Sequence, residues 1–383
     1  MSIIELKNEP SNGLNLISLF AGCGGSSLGY KAAGYDIRLS VEWDKGAAPT
    51  YRDNFPETPV FQGDIGDLSI EEAINLSGLK PGELDVLDGS PPCQGFSSAG
   101  ERKFSDERNQ LFREYVRILE AYKPKAFIME NVSGLRKGKM RLMFAEMTKA
   151  LKRTGYKVSC RELNAWWYGV PQNRTRLIWV GIRDDLPFEP SHPKPVVRRP
   201  ISVKQALGMD ALVDVNQYSR SWCSDSDWKE TSGTMRAQQK PRIAIQRKAF
   251  GDGQESTKKN FEDEKENLSN WDDLENGNPV NTLTATRPPM LAGSYYYPGS
   301  THRKRDGEGK PLTEPAQALT AIRPPSMFEN MEVRYINIDE AKILQSFPPD
   351  FKISLYKYIG NSVPPLMAKA VGEHVANILR GKS

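Results

Sequence analysis

Between Leu14 and Ile182 short apolar runs alternate with stretches of helical periodicity, and that alternation leaves few folds open. The apolar runs are Leu14–Phe20, Ile37–Val41, Leu84–Leu87, Ala126–Met129, Val158–Leu163 and Leu177–Ile182, and helical spacing returns at Leu111–Ala121 and Met140–Lys152. Strand and helix in this rhythm predict an α/β fold built on a doubly wound, mostly parallel sheet. In such sheets ligands gather at the carboxyl ends of the strands, so the residues at those tips matter most.

After Arg183 the texture changes. Prolines crowd (Pro187, Pro190, Pro193, Pro195, Pro200), and basic clusters stand at Arg198-Arg199, Lys240-Pro241-Arg242 and His302-Arg303-Lys304-Arg305. The polar, acidic stretch Glu262–Glu275 reads as a solvated loop or insertion. Leu283-Thr284-Ala285-Thr286-Arg287-Pro288-Pro289 is echoed by Leu319-Thr320-Ala321-Ile322-Arg323-Pro324-Pro325. Two similar strand-to-turn corners of a small β-rich domain explain this echo better than a dedicated contact motif. Helical spacing resumes over Ile336–Leu344, and Val363–Leu379 reads as a helix with proline in its first turn. The last segment is expected to rejoin the first domain, which makes the middle an insertion.

With 383 residues the chain is long enough for two domains, and 38% apolar with 26% charged residues is ordinary for a globular protein. No apolar run reaches the roughly 20 residues of a membrane helix. Four cysteines (Cys23, Cys93, Cys160, Cys223) and three histidines show no metal-ligand spacing, so no metal site is expected. The scattered thiols suit a reducing compartment. A net charge of +4 permits nucleic-acid binding without arguing for it.

Chemistry concentrates at the strand tips. Pro92-Cys93-Gln94 follows the run ending at Asp88, and the prolines aim the thiol of Cys93 into a polar loop. Burial as an inert core thiol is the rival reading. Phe20-Ala21-Gly22-Cys23-Gly24-Gly25 lies between a strand and a helix, where glycines admit a tight turn and a ligand against the backbone. Glu42 at the next tip can accept hydrogen bonds from ribose hydroxyls. Trp43 can stack on an adenine, with core packing an equal alternative, and Asp64 adds an acid at a third tip. Together these suggest an adenosyl ligand. Glu130 ends another apolar run, where desolvation would favour its protonated form; a cap or ion-pair role competes. Arg174 and Arg176 alternate, so both can face one way, as a clamp for a pyrimidine carbonyl or a phosphate.

In order along the chain, Phe20-Ala21-Gly22-x-Gly24-Gly25, Glu42-Trp43-Asp44, Asp64, Pro92-Cys93-Gln94, Glu130-Asn131-Val132, Gln172-x-Arg174-x-Arg176, Gln345-Ser346-Phe347-Pro348 and Gly360-Asn361-Ser362-Val363-Pro364 resemble the motifs of the cytosine-5 DNA methyltransferases. The resemblance runs from Leu14 to Val375. It implies a Rossmann-like methyltransferase sheet over residues 1–183, a smaller inserted target-recognition domain over 184–333, and a hinge and helix over 334–383 that return to the catalytic domain. The cofactor implied is S-adenosyl-L-methionine, held by Phe20, Ala21, Gly22, Gly24, Gly25, Glu42, Trp43, Asp64, Pro92, Asn361 and Ser362. Cys93 would add to cytosine C6, Glu130 would protonate or hydrogen-bond N3, Arg176 would bind O2, and Arg174 would sit near the thiolate or backbone. Gln94, Ser97 and Ser98 would close over a flipped base. One departure stands out: the family often has an acid two positions before the phenylalanine, where this chain has Ser18.

The same resemblance implies double-stranded DNA as partner, a restriction endonuclease linked by function rather than by binding, no membrane, and a monomeric enzyme in the bacterial cytoplasm, on the nucleoid. Two alternatives remain. A tRNA cytosine methyltransferase would tend to have threonine where Ser97 follows Phe96, and a much smaller middle region. A catalytically silent DNA-binding relative would lack the nucleophile or the arginines.

Overall fold

The computed structural model describes residues 6–92, 110–136, 138–201, 203–207 and 332–382, together with the strand segments 290–292, 295–297, 310–311, 316–317 and 326–329. The strands of the main sheet are β1 (Asn15–Leu19), β2 (Asp36–Glu42), β3 (Val60–Gln62), β4 (Val86–Gly89), β5 (Ala126–Val132), β6 (Tyr156–Asn164) and β8 (Thr175–Arg183), in the spatial order β3-β2-β1-β4-β5-β8-β6. All run parallel except β8, which is antiparallel to both β5 and β6. The doubly wound, mostly parallel sheet expected from the sequence is therefore present. Its order reverses between β1 and β4, and a crevice opens at such a switch point.

Helices cover both faces. The first turn of α1 (Gly25–Ala32) follows the glycine loop directly, and α2 (Ala47–Asn54) and α3 (Ile70–Ser77) follow β2 and β3. Ser69 caps α3 by accepting the Glu72 N–H, and Gly78 ends it in a left-handed conformation. One face of the sheet buries Ile17, Leu19, Leu39, Leu87, Phe127 and Met129 beneath α4 (Gln110–Tyr122) and α5 (Arg141–Arg153). The alternating set Leu16, Val86, Ile128, Ile178 and Val180 faces the opposite layer, as a period of two requires.

That opposite layer joins the two ends of the chain. Among the described residues, the helices beyond the short α6 (Val203–Leu207) are α7 (Ile338–Leu344), α8 (Tyr356–Asn361) and α9 (Pro365–Leu379). Asn337 and Glu340 close a capping box on α7. Helix α9 lies against α1, and the Tyr35 hydroxyl donates to the Gly372 carbonyl at 2.8 Å.

A second sheet contains β9 (Met290–Ala292), β10 (Tyr295–Tyr297), β11 (Lys310–Pro311), β13 (Ser326–Glu329) and β14 (Glu332–Tyr335). The two Leu-Thr-Ala echoes lie outside the described residues. Each is followed at once by a strand, β9 or β13, and these two strands flank β14. Separately, β12 (Ala316–Gln317) pairs parallel with β7 (Gln172–Asn173), which precedes the arginine pair.

Contact between α1 and α9 demands a missing side chain. A Cβ on Gly29 would meet the Pro365 carbonyl oxygen, and would lie 2.6 Å from the Ala368 Cβ and 2.7 Å from the Lys369 backbone nitrogen. Gly29→Ala is thus expected to push the helices apart and cost about 1–3 kcal/mol of stability. Urea unfolding should show a lower midpoint with an unchanged slope.

Candidate active site

The loop between β1 and α1 has the backbone of a cradle. Phe20, Gly22 and Gly24 all have positive φ (56°, 57° and 96°), so the chain folds back on itself within five residues. A Cβ at Gly22 would meet nothing within 4 Å, which leaves open space beside that turn. On the other side Gly25 is closely covered: a Cβ there would lie 2.6 Å from the Val363 carbonyl oxygen and 2.8 Å from the Ser362 Cβ. Cys23 is buried in the turn, its Sγ 3.1 Å from the Ser362 Oγ, and burial pushes its thiol up to about 12. It is held as a thiol, in a structural place.

Glu42 ends β2 with both carboxylate oxygens engaged by backbone. Gly22 N–H donates to Oε2 at 2.7 Å, and Asp44 N–H to Oε1 at 2.8 Å. Burial raises its pKa, and the two backbone donors oppose that rise. Trp43 is 67% exposed beside it, so the core-packing alternative is excluded and its ring is free to stack. Asp64, past β3, is exposed and accepts the Gly66 N–H at 2.9 Å. Asn361 is exposed at the end of α8, while Ser362 is buried with its hydroxyl donating to the Tyr358 carbonyl at 2.6 Å.

Asp44 is a site residue that the sequence reading left without a role. Its carboxylate accepts from Gly46 N–H, Ala47 N–H, Tyr358 Oη and Lys357 Nζ, at 2.8, 3.0, 3.0 and 2.6 Å. Burial opposes its charge, but Lys357 and the other donors outweigh it and bring its pKa down to about 2. Asp44 thereby pins α8 to the start of α2. Its place inside Glu42-Trp43-Asp44 was the available signal.

The second group of residues lies across the switch point. Ser90 Oγ donates to the Phe20 carbonyl at 3.4 Å, which joins the β4 tip to the glycine loop. Asn131 Nδ2 donates to the Pro91 carbonyl at 2.9 Å, which ties the β4 exit to the tip of β5. Pro92 is exposed there. Cys93, Gln94, Ser97 and Ser98 lie outside the described residues, as do Cys223, Arg287, Arg323 and the basic clusters at 240–242 and 302–305. Glu130 meets an arginine rather than an apolar neighbourhood alone: Arg176 Nε stands 2.8 Å from its Oε1.

Arg174 and Arg176 do approach the same place, as their alternation predicted. Glu130 acts electrostatically on both guanidiniums. Burial weighs against both charges, and Arg176 adds to the pressure on Arg174 while Glu130 relieves it. Arg174 is only 2% exposed, yet its Nε and Nη1 have no hydrogen-bond partner among the described residues. Such donors carry a large desolvation cost and are available to a ligand or a neighbouring loop.

A family model for C-5 cytosine-specific DNA methylase matches residues 14–377, nearly the whole span over which this geometry is built. The chain belongs to that family. It is a DNA cytosine-5 methyltransferase, and S-adenosylmethionine is its methyl donor. The Type II methyltransferase M.XorII of Xanthomonas oryzae is 33% identical over 96% of this chain and 85% of its own length. M1.HphI of Haemophilus parahaemolyticus is 32% identical over 94% and 86%. Among solved structures, a prophage-encoded DNA modification methyltransferase of E. coli aligns with TM-score 0.65 at 25% identity, covering 96% of this chain and all of that one. Dnmt2 of S. pombe shares the fold, with TM-score 0.55 at 18% identity over 96% of this chain and 99% of its own. Among the described residues of the methyltransferase, no helix is long and apolar enough to cross a membrane.

Glu130 is the counter-charge for this buried pair of arginines. Glu130→Gln is expected to cost about 3–5 kcal/mol, the usual penalty for stranding a buried charge. Adding Arg174→Met should recover part of that loss, which a double-mutant cycle in denaturant would measure.

Proposed function

We propose that this methyltransferase methylates cytosine at C5 in a specific duplex sequence, through a covalent Cys93–C6 adduct on a base turned out of the helix. The observation that carries this reading is the Glu130–Arg176 pair, 2.8 Å apart at the β5 tip. Asn131, the next residue, binds the Pro91 carbonyl, two residues before Cys93 in the chain. A nucleophile, an acid and a cationic clamp would thus stand at the ends of three adjacent strands, β4, β5 and β8, the first two joined by that hydrogen bond.

Cytosine C5 is a weak nucleophile. Addition of the Cys93 thiolate to C6 moves electron density towards C5 and N3, and Glu130 would protonate or hydrogen-bond N3 as that happens. Arg176 would hold the O2 carbonyl while keeping Glu130 in place. Arg174, with two buried donors unspent, would bind the thiolate or the backbone of the loop carrying it. S-adenosylmethionine supplies the electrophilic methyl group when bound. Afterwards a base removes the C5 proton, and Cys93 leaves by elimination. C6 is stacked in a duplex, so the base must first leave the helix, at a cost of a few kcal/mol. Gln94, Ser97 and Ser98 would then close around it.

The cradle fits the cofactor. Gly22 borders open space, Trp43 offers an exposed ring, and Glu42 stands between them. Phe20, Ala21, Gly22, Gly24 and Gly25 would line the methionine and ribose, with Pro92, Asn361 and Ser362 at the rim. Glu42 would accept ribose hydroxyls, and Asp64 would serve the adenine end.

Residues 184–333 would be the target-recognition domain, with basic side chains on phosphate and polar loops at base edges. Residues 1–183 and 334–383 would form the catalytic domain. The similarity to Type II enzymes supports a modification role, in step with a restriction endonuclease that acts on the same site without binding this protein. The enzyme would work as a monomer at the nucleoid.

Cys93→Ser should abolish methyl transfer and leave DNA binding largely intact, since a hydroxyl is a far weaker nucleophile than a thiolate. The wild type should be trapped on DNA with 5-fluorocytosine at the target, visible as a denaturation-resistant complex. Turnover by the serine variant would remove Cys93 from the mechanism. Glu42→Ala is expected to weaken S-adenosylmethionine binding by about 1.5–3 kcal/mol, one charge-assisted hydrogen bond. An unchanged dissociation constant by calorimetry would show that the ribose is held elsewhere.

A further inference from the structure

Asp88 sits on β4 in register with Ser18 of β1, and it is 3% exposed. It belongs to the sheet face covered by α1, one alternation beyond Val86. Tyr30 Oη, from α1, donates to Oδ1 at 2.9 Å, and Ser18 Oγ donates to Oδ2 at 3.1 Å. The Ser26 hydroxyl, in the first turn of α1, favours the charged form of the carboxyl. No lysine or arginine pairs with it among the described residues. An apolar side chain on β4 would fill this space without the cost of burying a carboxyl. Instead two hydroxyls bond it, one from β1 and one from α1.

We propose that Asp88 is a positioning residue for the cofactor: held by Ser18 of β1 and Tyr30 of α1, its carboxylate fixes α1, and with it the glycine loop, against the tip of β4. The proposal rests on the assignment of that loop to S-adenosylmethionine. It also gives the serine at position 18 a meaning. The acid that the family resemblance leads one to expect on β1 is replaced here by a carboxyl on the neighbouring strand, at the position paired with it. The charge stays in the same layer beneath α1. S-adenosylmethionine bears a sulfonium and an ammonium against one carboxylate, so a buried anion under its cradle favours binding.

Burial pushes the Asp88 carboxyl up to about 7, against the pull of the Tyr30, Ser18 and Ser26 hydroxyls, and the Glu130 charge adds to the rise. The groups that bond it or act on it electrostatically are Ser18 on β1, Tyr30 and Ser26 on α1, Tyr51 on α2, Tyr115 on α4 across the sheet, and Glu130 on β5. The three tyrosines have raised pKa values and stay neutral. Glu130 is paired with Arg176. A proton on Asp88 therefore competes with the cofactor, and affinity should rise as pH increases through the value of this carboxyl.

Calorimetry of the full-length protein with S-adenosylmethionine, from about pH 6 to about pH 8, tests this. The wild type should bind about tenfold more tightly at the upper end, while Asp88→Asn should bind about tenfold more weakly there and show a flat profile. In steady-state assays the KM for the cofactor should rise more than kcat falls. The exchange Ser18→Asp with Asp88→Ser returns the carboxylate to β1 and should restore affinity, which a merely structural role for Asp88 would not allow. Should Asp88→Asn fail to fold, Tyr30→Phe removes one donor and should move the midpoint of the pH profile upward. Equal binding and equal pH profiles in wild type and Asp88→Asn, or an unshifted midpoint in Tyr30→Phe, would overturn the role of Asp88 alone. A wild type that does not bind S-adenosylmethionine would bring down the cofactor assignment and this proposal with it.

Discussion

Gln345 is fully buried, and a primary amide in that position has to find partners for both its oxygen and its nitrogen. Its oxygen accepts from Gln172 Nε2, and its own Nε2 donates to the Ser362 carbonyl at 2.7 Å. Gln172 also donates to the Leu344 carbonyl at 3.2 Å. From Ser362 the path continues through its hydroxyl to Cys23, inside the glycine turn. These contacts run from the segment that bears Arg174 and Arg176 to the segment proposed to hold the cofactor. Three stretches of sequence, near residues 23, 172 and 345–362, meet in one buried polar chain. A network of this kind rigidifies, although Gln172 Oε1 has no partner among the described residues, and losing one member leaves the others unpaired in a low dielectric. The spacing between methyl donor and target base would depend on it.

A second constraint acts on charge. Glu130, Arg174 and Arg176 are all withdrawn from water, and Asp88 lies one strand away. Ion pairs in such places cost desolvation and return it only with good geometry. Glu130 and Arg176 have that geometry, while Arg174 leaves two donors unspent among the described residues. Stability alone would be served better by apolar residues. The unspent capacity is what binding a polar, planar ring and a thiolate would require.

Much of the fold could be read from the chain because it follows from local pattern. The runs at Leu14–Phe20, Ile37–Val41 and Ala126–Met129 became β1, β2 and β5 with shifts of at most three residues at their ends. The apolar pair Val60-Phe61 sits within β3. Strand order is a different matter. That β8 inserts antiparallel between β5 and β6 depends on pairing across the sheet, which period and composition do not encode. Burial of single residues was equally hidden. Trp43 could have been core or surface, and the fold decides it by ending β2 just before it. Asp88 ends an apolar run, so an acid inside a buried strand was visible, but its partners Ser18 and Tyr30 come from sequence 58–70 residues away. Glu130 was expected among apolar neighbours, and Arg176 reaches it only because β5 and β8 are adjacent.

Adjacency also explains why the final segment carries residues of the site. The glycine loop needs one open side for a ligand and one covered side for rigidity. Coverage comes from Ser362 and Val363, so close that Gly25 tolerates no side chain. What holds those residues down is α9 against α1, through a crossing that excludes a side chain at Gly29, and α8 against the start of α2 through Asp44, Lys357 and Tyr358. Neither contact forms until the chain has returned from beyond residue 332. The cradle between β1 and α1 is therefore local in sequence but completed by long-range packing. A segment inserted between α6 and α7 can vary without disturbing it, provided the pairing of β12 with β7 is kept and the chain comes back to the same two helices. That independence is the physical condition under which chemistry and target choice can be divided between separate parts of one chain.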